Sequence, residues 1–194
     1  FFSVPYVVKA RKCALKAHEL QPKRVVFLNL LIQLYAEIPS FLGGDIDFAK
    51  KKANELTSFD SLEGAMMQAY VFELKNNFDT SKSKYAEVFG SLKEKFPDSE
   101  QWENALRRDM IFDLGRVSAL YQIEPDIGIA FLDHYLKSFD FKDNYPLEWA
   151  YYYCSKIYLY KKDFKKAKAS IEKALEINPN FEEGLEILNT VELE

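Results

Sequence analysis

The chain has 194 residues, enough for one ordinary domain or one short array of repeats with a sizeable core. Hydrophobic residues make up 48% of it and charged residues 29%, which excludes an intrinsically disordered chain. The net charge of −4 argues against general nucleic-acid binding, which needs a strongly positive surface. No stretch of about 20 apolar residues occurs, so no membrane-spanning helix is expected.

Helical periodicity runs along the whole chain and is interrupted by clusters of glycine and proline. No segment alternates as a strand does. The predicted helices cover residues 4–20, 24–37, 45–57, 61–76, 79–95, 99–121, 127–138, 146–160, 164–177 and 181–192. Ten helices without a strand predict an all-α fold built from repeated helical hairpins.

Several helix starts carry a chemical signal. Asp45 and Asp60 precede helical patterns, and a carboxylate there can accept hydrogen bonds from the first free N–H groups. Glu63 follows Asp60 at the spacing of a capping box. Ser99 can cap in the same way. Gly43 lies in the long turn before Asp45 and indicates unusual backbone angles there. A phosphate-binding loop is not predicted, because the Lys-Ser/Thr pair that such a loop requires does not follow.

The clearest repeated unit lies between Glu148 and Asn180. Its pattern consists of Tyr151, Cys154, Ser155, Tyr158, Ala167, Ile171, Ala174, Leu175 and Pro179. The order of aromatic, small and bulky positions resembles the tetratricopeptide repeat. Small residues such as Ser155 and Ala167 let two helices approach closely. A single hairpin cannot bury both faces, so neighbouring repeats are expected to stack.

Looser versions of the pattern cover nearly the whole chain and predict one array over residues 1–194. The expected parts are a half-repeat (1–22), four helix pairs (24–58, 61–97, 99–140 and 146–180) and a capping helix (181–194). The resemblance implies that these hairpins stack into a right-handed α-solenoid. The long turn is similar to that of some bacterial tetratricopeptide proteins of the cell envelope. It favours the periplasm over the cytoplasm, although location stays open because the chain begins at Phe1 and not at Met.

Residues for catalysis are scarce. The two histidines, His18 and His134, lie far apart without metal-ligand spacing, and both are expected on the surface or in packing. Cys13 and Cys154 are expected to be small core residues. The lysine runs at 50–52 and 161–168 are expected on the solvated outer face. The sequence therefore predicts no enzyme, no catalytic residue, no metal and no cofactor.

The resemblance implies a concave groove, lined by the first helix of each pair, that binds a peptide or a helix of a partner protein. The residues predicted to face it are Asn29, Gln33, Met66, Tyr70, Phe112, Arg116, Trp149, Tyr152 and Lys156. Aromatic, Met and Arg side chains are enriched among interface anchors. The alternative for the aromatic rings is that half of them fill space between repeats.

The function predicted from the sequence is a non-catalytic scaffold for protein–protein interaction, with no nucleic-acid partner. The alternative is a structural repeat protein that self-associates as a homo-oligomer by stacking through its open N-terminal end. The apolar residues that favour the alternative are Phe1, Phe2, Val4, Tyr6 and Val7.

Overall fold

The computed structural model describes residues 4–96 and 101–192. All regular elements in these ranges are helical, which confirms the predicted all-α fold class. The chain divides into two compact units, Phe1–Lys95 and Phe96–Glu194. One continuous right-handed solenoid over residues 1–194 stays a prediction. Among the described residues, none of the helices combines the length and the apolar character that crossing a bilayer requires.

The first unit contains five α-helices and one 3-10 turn in its described part. They are α1 (Val4–Leu20), α2 (Val25–Glu37), the 3-10 turn (Ser40–Leu42), α3 (Ile46–Thr57), α4 (Ser61–Leu74) and α5 (Phe78–Lys95). The Asp45 side chain accepts from the N–H groups of Asp47 and Phe48, so its predicted capping role is confirmed. Asp60 caps α4 through the N–H of Glu63.

The second unit contains six α-helices in its described part. They are α6 (Trp102–Ala105), α7 (Arg108–Tyr121), α8 (Pro125–Lys137), α9 (Leu147–Tyr160), α10 (Phe164–Ile177) and α11 (Glu182–Glu192). The continuous helix predicted over 99–121 is wrong, because Leu106 and Arg107 have extended backbone. That bend lets both Trp102 and Leu106 reach the core. The predicted Ser99 cap lies outside the described residues.

Within each unit, helices contact their neighbours in the chain and also alternate helices. The alternate contacts join α2 to α4 in the first unit, and α7 to α9 and α9 to α11 in the second. We call α2, α4, α7, α9 and α11 the first helices, and α3, α5, α8 and α10 the second helices. The first helices of a unit therefore form a contiguous layer, as expected when short connections join stacked hairpins.

A spacing of 33 to 35 residues recurs in the side-chain contacts that join a repeat to the next repeat or to the loop before it. The pairs are Asn29 with Glu63, His18 with Lys52, Glu37 with Tyr70, Arg108 with Asp143, and Asp126 with Lys161. The tetratricopeptide repeat has a period of about 34 residues. Each unit thus shows this period in its contacts as well as in its sequence.

Two hairpins pack through the same kind of interface, with a serine on one helix and an alanine on the other. The serine is on the first helix in one hairpin and on the second helix in the other. In the hairpin of α9 and α10, the Ser155 hydroxyl donates to the carbonyl oxygen of Ala167 at 2.9 Å. In the hairpin of α4 and α5, the Ser81 hydroxyl donates to the carbonyl oxygen of Ala69, also at 2.9 Å. All four residues are fully buried. A small residue on each side is needed because the two backbones come this close.

Helix α1 packs against α2 through one face and exposes the other. Ala14 is buried, whereas Tyr6 is 75% exposed. Cys13 is exposed on this outer face, so its prediction as a core residue is wrong, while Cys154 is buried as predicted. Phe1 and Phe2, which the sequence offers for stacking of copies, lie outside the described residues, and self-association stays a prediction.

His18 joins α1 to α3 through a lysine. Its Nε2 lies 2.9 Å from Nζ of Lys52, and Lys52 also pairs with Glu55 at 2.8 Å. Lys52 is therefore not on the solvated face that the lysine run predicts, and its side chain is only 16% exposed. Burial first, and the Lys52 charge second, lower the pKa of His18, and the carboxylates of Glu55 and Glu19 oppose this only in part.

Protonation of His18 should weaken the first unit. The pKa of His18 is lower in the folded chain than its ordinary value, so the unfolded chain takes up the proton first as the pH falls. The free energy of unfolding should therefore decrease as the pH falls through about 6.5. Urea unfolding followed by circular dichroism at pH 8 and pH 5.5 measures this. Between these pH values the free energy of unfolding should decrease less in His18→Gln than in the native chain, whereas in His134→Gln it should decrease as much as in the native chain. Equal decreases in both variants would contradict the assignment to His18.

Candidate partner-binding groove

The first helix α9 has two flanks with different neighbours. One flank faces α10, because Ser155 donates to Ala167 and the ring of Tyr158 lies 5.4 Å from Nζ of Lys166. The opposite flank carries side chains at the spacing i, i+3 and i+7, which places them on one side of a helix. These are Trp149, Tyr152 and Lys156, all half-buried. We call this surface the α9 flank.

The aromatic part of the α9 flank reaches the start of α11. The Trp149 ring centroid lies 5.5 Å from that of Tyr152 and 4.8 Å from that of Phe181, both in edge-on geometry. Tyr152 lies 5.6 Å from Phe181. Phe181 is buried and anchors both rings, so they are held in place with one side still accessible. Both rings therefore fill space against Phe181 and are also partly exposed, and their contact with a partner stays a prediction.

Lys156 is the cation of the α9 flank. Its Nζ lies 5.4 Å from the ring centroid of Tyr152, an attractive arrangement for a cation and a ring face. The described residues give Lys156 no ion pair. The ammonium group is therefore positioned by the ring while its charge remains available for a carboxylate from outside.

Arg116, on the neighbouring first helix α7, is already paired. Its Nε donates to Asp113 at 3.2 Å, and both side chains are mostly shielded from solvent, at 17% and 20% exposed. Burial raises the pKa of Tyr145, and the Asp113 carboxylate raises it further. Arg116 thus belongs to a small network with Asp113 and Tyr145, and Asp113 offsets much of its charge.

Phe112 lies beneath this surface and not on it. Its ring stacks on Tyr145 with centroids 4.0 Å apart, and it also contacts Tyr135 and Tyr153. It is 1% exposed. The expectation that Phe112 faces a partner is therefore corrected: it is buried among rings of α8, α9 and the loop before α9.

The loop between α8 and α9 is fastened so that Tyr145 can stack on Phe112. Arg108 donates to both carboxylate oxygens of Asp143 at 2.6 Å, and the Tyr135 hydroxyl donates to the carbonyl oxygen of Tyr145 at 2.7 Å. The Arg108 guanidinium lowers the pKa of Asp143, so this pair stays charged at neutral pH. Two charged and two aromatic residues thereby hold this loop against α7 and α8.

The predicted groove residues of the first unit are less accessible. Asn29 is buried and donates to Glu63 at 2.9 Å, and Met66 is 4% exposed. The expectation that these two residues lie on an accessible surface is therefore corrected: Asn29 joins α2 to Glu63 of α4, and Met66 is buried. Gln33 and Tyr70 are half-buried, and the Tyr70 hydroxyl donates to Glu37. Only these two of the four could be reached by a partner.

The helix α11 continues the layer of first helices. Glu183 and Glu186 follow Trp149 and Tyr152 by 34 residues, the spacing of the contacts between repeats. Both glutamates are exposed. Sequence reasoning treated 181–194 as a polar cap and missed these two carboxylates, although adding one repeat period to the residues of α9 would have found them. It also missed Phe181 as a support of the flank.

The described residues contain no group of three or more His, Cys, Asp or Glu side chains that could hold a metal ion. The polar network around Arg116 and Tyr145 consists of an ion pair and a phenol whose pKa is raised. A tyrosine that holds its proton more tightly than usual is a poor base and a poor nucleophile at neutral pH. The Tyr145 phenol therefore stays protonated at neutral pH.

The fold and the groove together define an all-α protein of stacked helical hairpins. Within it, residues 149–181 match the family model described as Tetratricopeptide repeat, which confirms the resemblance found in the sequence over this segment. The segment contains α9 from Trp149 onwards, α10 and Phe181, and so it includes the whole α9 flank. No curated protein matches the chain. The repeat associates the chain with binding of other proteins.

Proposed function

We propose that this chain is a non-catalytic scaffold that binds an apolar segment of a partner protein, carrying an acidic residue, along α7 and α9. Tetratricopeptide arrays present extended surfaces for such binding. The observation that carries the proposal is the α9 flank, where two half-exposed rings share one side of a helix with a cation that has no ion pair among the described residues. Trp and Tyr are typical anchors at the centre of protein interfaces.

The roles of the residues follow from their surroundings. Trp149 and Tyr152 offer apolar area on which an aliphatic or aromatic side chain of the partner packs. Lys156 pairs with the carboxylate of the partner. Arg116 contributes less than its charge suggests, because Asp113 neutralises it. Phe112 keeps the wall rigid and makes no direct contact with the partner.

A peptide library displayed on phage, selected against the immobilised 194-residue chain, tests this function. Selected peptides should contain an acidic residue next to apolar ones. Their affinity, measured by fluorescence anisotropy, should fall about tenfold for Lys156→Glu, the effect of losing about 1.4 kcal/mol of binding free energy. Lys156 is a better probe than Arg116, because Arg116→Glu would place a second carboxylate beside Asp113 and disturb the fold.

The matched control is Lys165→Glu, a charge reversal on the exposed outer side of α10. It changes the net charge by the same amount and should leave the affinity within about twofold. Both variants should keep the helical circular-dichroism spectrum of the native chain. Failure to select saturable binders, or equal affinity of the native chain and Lys156→Glu, would place the function elsewhere.

A further inference from the structure

We infer that the partner segment carries a basic residue as well as an acidic one, and that Glu183 and Glu186 of α11 bind it. This inference rests on the proposed function, since it concerns the same groove. Glu183 and Glu186 would form a second charged wall of the groove, negative where Lys156 is positive. The ligand is therefore a mixed-charge segment with an apolar centre, and not a simply acidic one.

The orientation of α11 follows from its contacts. Its buried face carries Gly184 and Val191. One flank of the helix faces α10, because Glu192 accepts from Nζ of Lys168 at 3.0 Å. At 100° per residue, Glu183 and Glu186 lie on the opposite flank, away from α10.

The α9 flank is turned away from α10 in the same manner, and the two helices are in contact. Residues one repeat period apart occupy equivalent positions on stacked helices. This register predicts Glu183 beside Trp149 and Glu186 beside Tyr152. The ring contacts of Trp149 and Tyr152 with Phe181, just before α11, agree with this register.

Neither glutamate has an assigned partner inside the unit. No hydrogen bond or ion pair joins the side chain of Glu183 or Glu186 to another described residue. In contrast, Glu192 on the other flank pairs with Lys168, and this contact raises the pKa of Lys168. Glu183 also lies in the first turn of α11, where a negative charge favours the helix, but Glu186 does not. Stabilisation of the helix N-terminus therefore explains the presence of Glu183 but not that of Glu186.

The groove is consequently dipolar, with an ammonium group on α9, two rings between, and two carboxylates on α11. Neighbouring packed helices lie about 8–10 Å apart. Lys156 lies about 6 Å further along the helix axis than Tyr152 and about 10 Å further than Trp149, so a partner that satisfies both walls needs opposite charges about 10–14 Å apart, with an apolar residue between them. That corresponds to about three to four residues of extended chain or about seven to nine residues of helix.

Charge reversal on α11 tests the inference with the same displayed peptide library. Peptides selected on the native chain should carry an acidic and a basic residue at this spacing. Their affinity should fall about tenfold for Glu183→Lys combined with Glu186→Lys, and replacing the basic residue of the peptide with Glu should restore it. Glu186→Lys alone, which leaves the first turn of α11 intact, should lower the affinity in the same direction.

The matched control is Glu172→Lys combined with Glu176→Lys, two exposed glutamates on α10. It should leave the affinity within about twofold. Peptides that depend on Lys156 but bind the α11 variant equally well would overturn the inference and leave the proposed function standing. Peptides that depend on neither wall, or a selection without binders, would overturn both.

Discussion

Phe112→Ala should lower the free energy of unfolding of the second unit by about 3–5 kcal/mol, the usual effect of removing a buried phenylalanine ring. The side chain is 1% exposed and stacks on Tyr145 at 4.0 Å. Its removal leaves a cavity among three tyrosine rings that cannot all collapse into it. Both tryptophans, Trp102 and Trp149, belong to this unit, so urea unfolding followed by tryptophan fluorescence reports on it directly.

Phe141→Ala is the control for this experiment. Phe141 lies in the same unit, in the loop before α9, and is 85% exposed. Its loss should change the free energy of unfolding by no more than about 0.5 kcal/mol. If both variants unfold at similar urea concentrations, Phe112 does not have the buried position described, and the groove wall above it would have to be reconsidered.

Gly64→Ala should destabilise the first unit by about 1–3 kcal/mol, the range for overpacking a filled core. A Cβ atom at Gly64 would lie 2.4 Å from the backbone N and Cα of Thr57, where α3 ends before α4. Backbone atoms cannot rotate away as a flexible side chain can, so the two helices must separate. This outcome is opposite to the gain of about 1 kcal/mol that alanine gives over glycine within a helix.

Gly90→Ala shows the ordinary helix effect in the same unit. Gly90 is exposed on α5, and a Cβ atom there meets nothing within 4 Å. The substitution should stabilise the chain by about 0.5–1 kcal/mol. Thermal unfolding followed by circular dichroism compares the two variants. A loss of stability at Gly90, or a gain at Gly64, would mean that the α3–α4 contact is looser than described.

The helices could be predicted from the sequence because their signals are local. Asp45 and Asp60 mark helix starts by a side chain that caps the N–H groups two or three residues on. The break at Leu106 and Arg107 carries no proline or glycine, so no local rule reveals it. The chain bends there because Trp102, whose ring lies 4.1 Å from that of Phe131, is buried, and that cause is tertiary.

The groove was harder to predict than the fold, for a related reason. Helical spacing placed Trp149, Tyr152 and Lys156 on one flank, and these three share it in the structure. The same counting placed Phe112 on the corresponding side of α7, but the loop carrying Tyr145 covers it. Periodicity specifies the direction of a side chain; it does not reveal which loop lies on top. Fastening of that loop by Arg108 and Asp143 depends on residues 35 apart in the chain.

The spacing of 33 to 35 residues between bonded side chains also affects how the chain folds. A contact at this separation closes only a short loop, and the entropy cost of closure rises with the logarithm of loop length. Each hairpin can thus find its neighbour without waiting for distant segments. Chains dominated by such local contacts have low contact order and reach their native state quickly. The repeat period that places the groove residues side by side therefore also keeps each step of folding local.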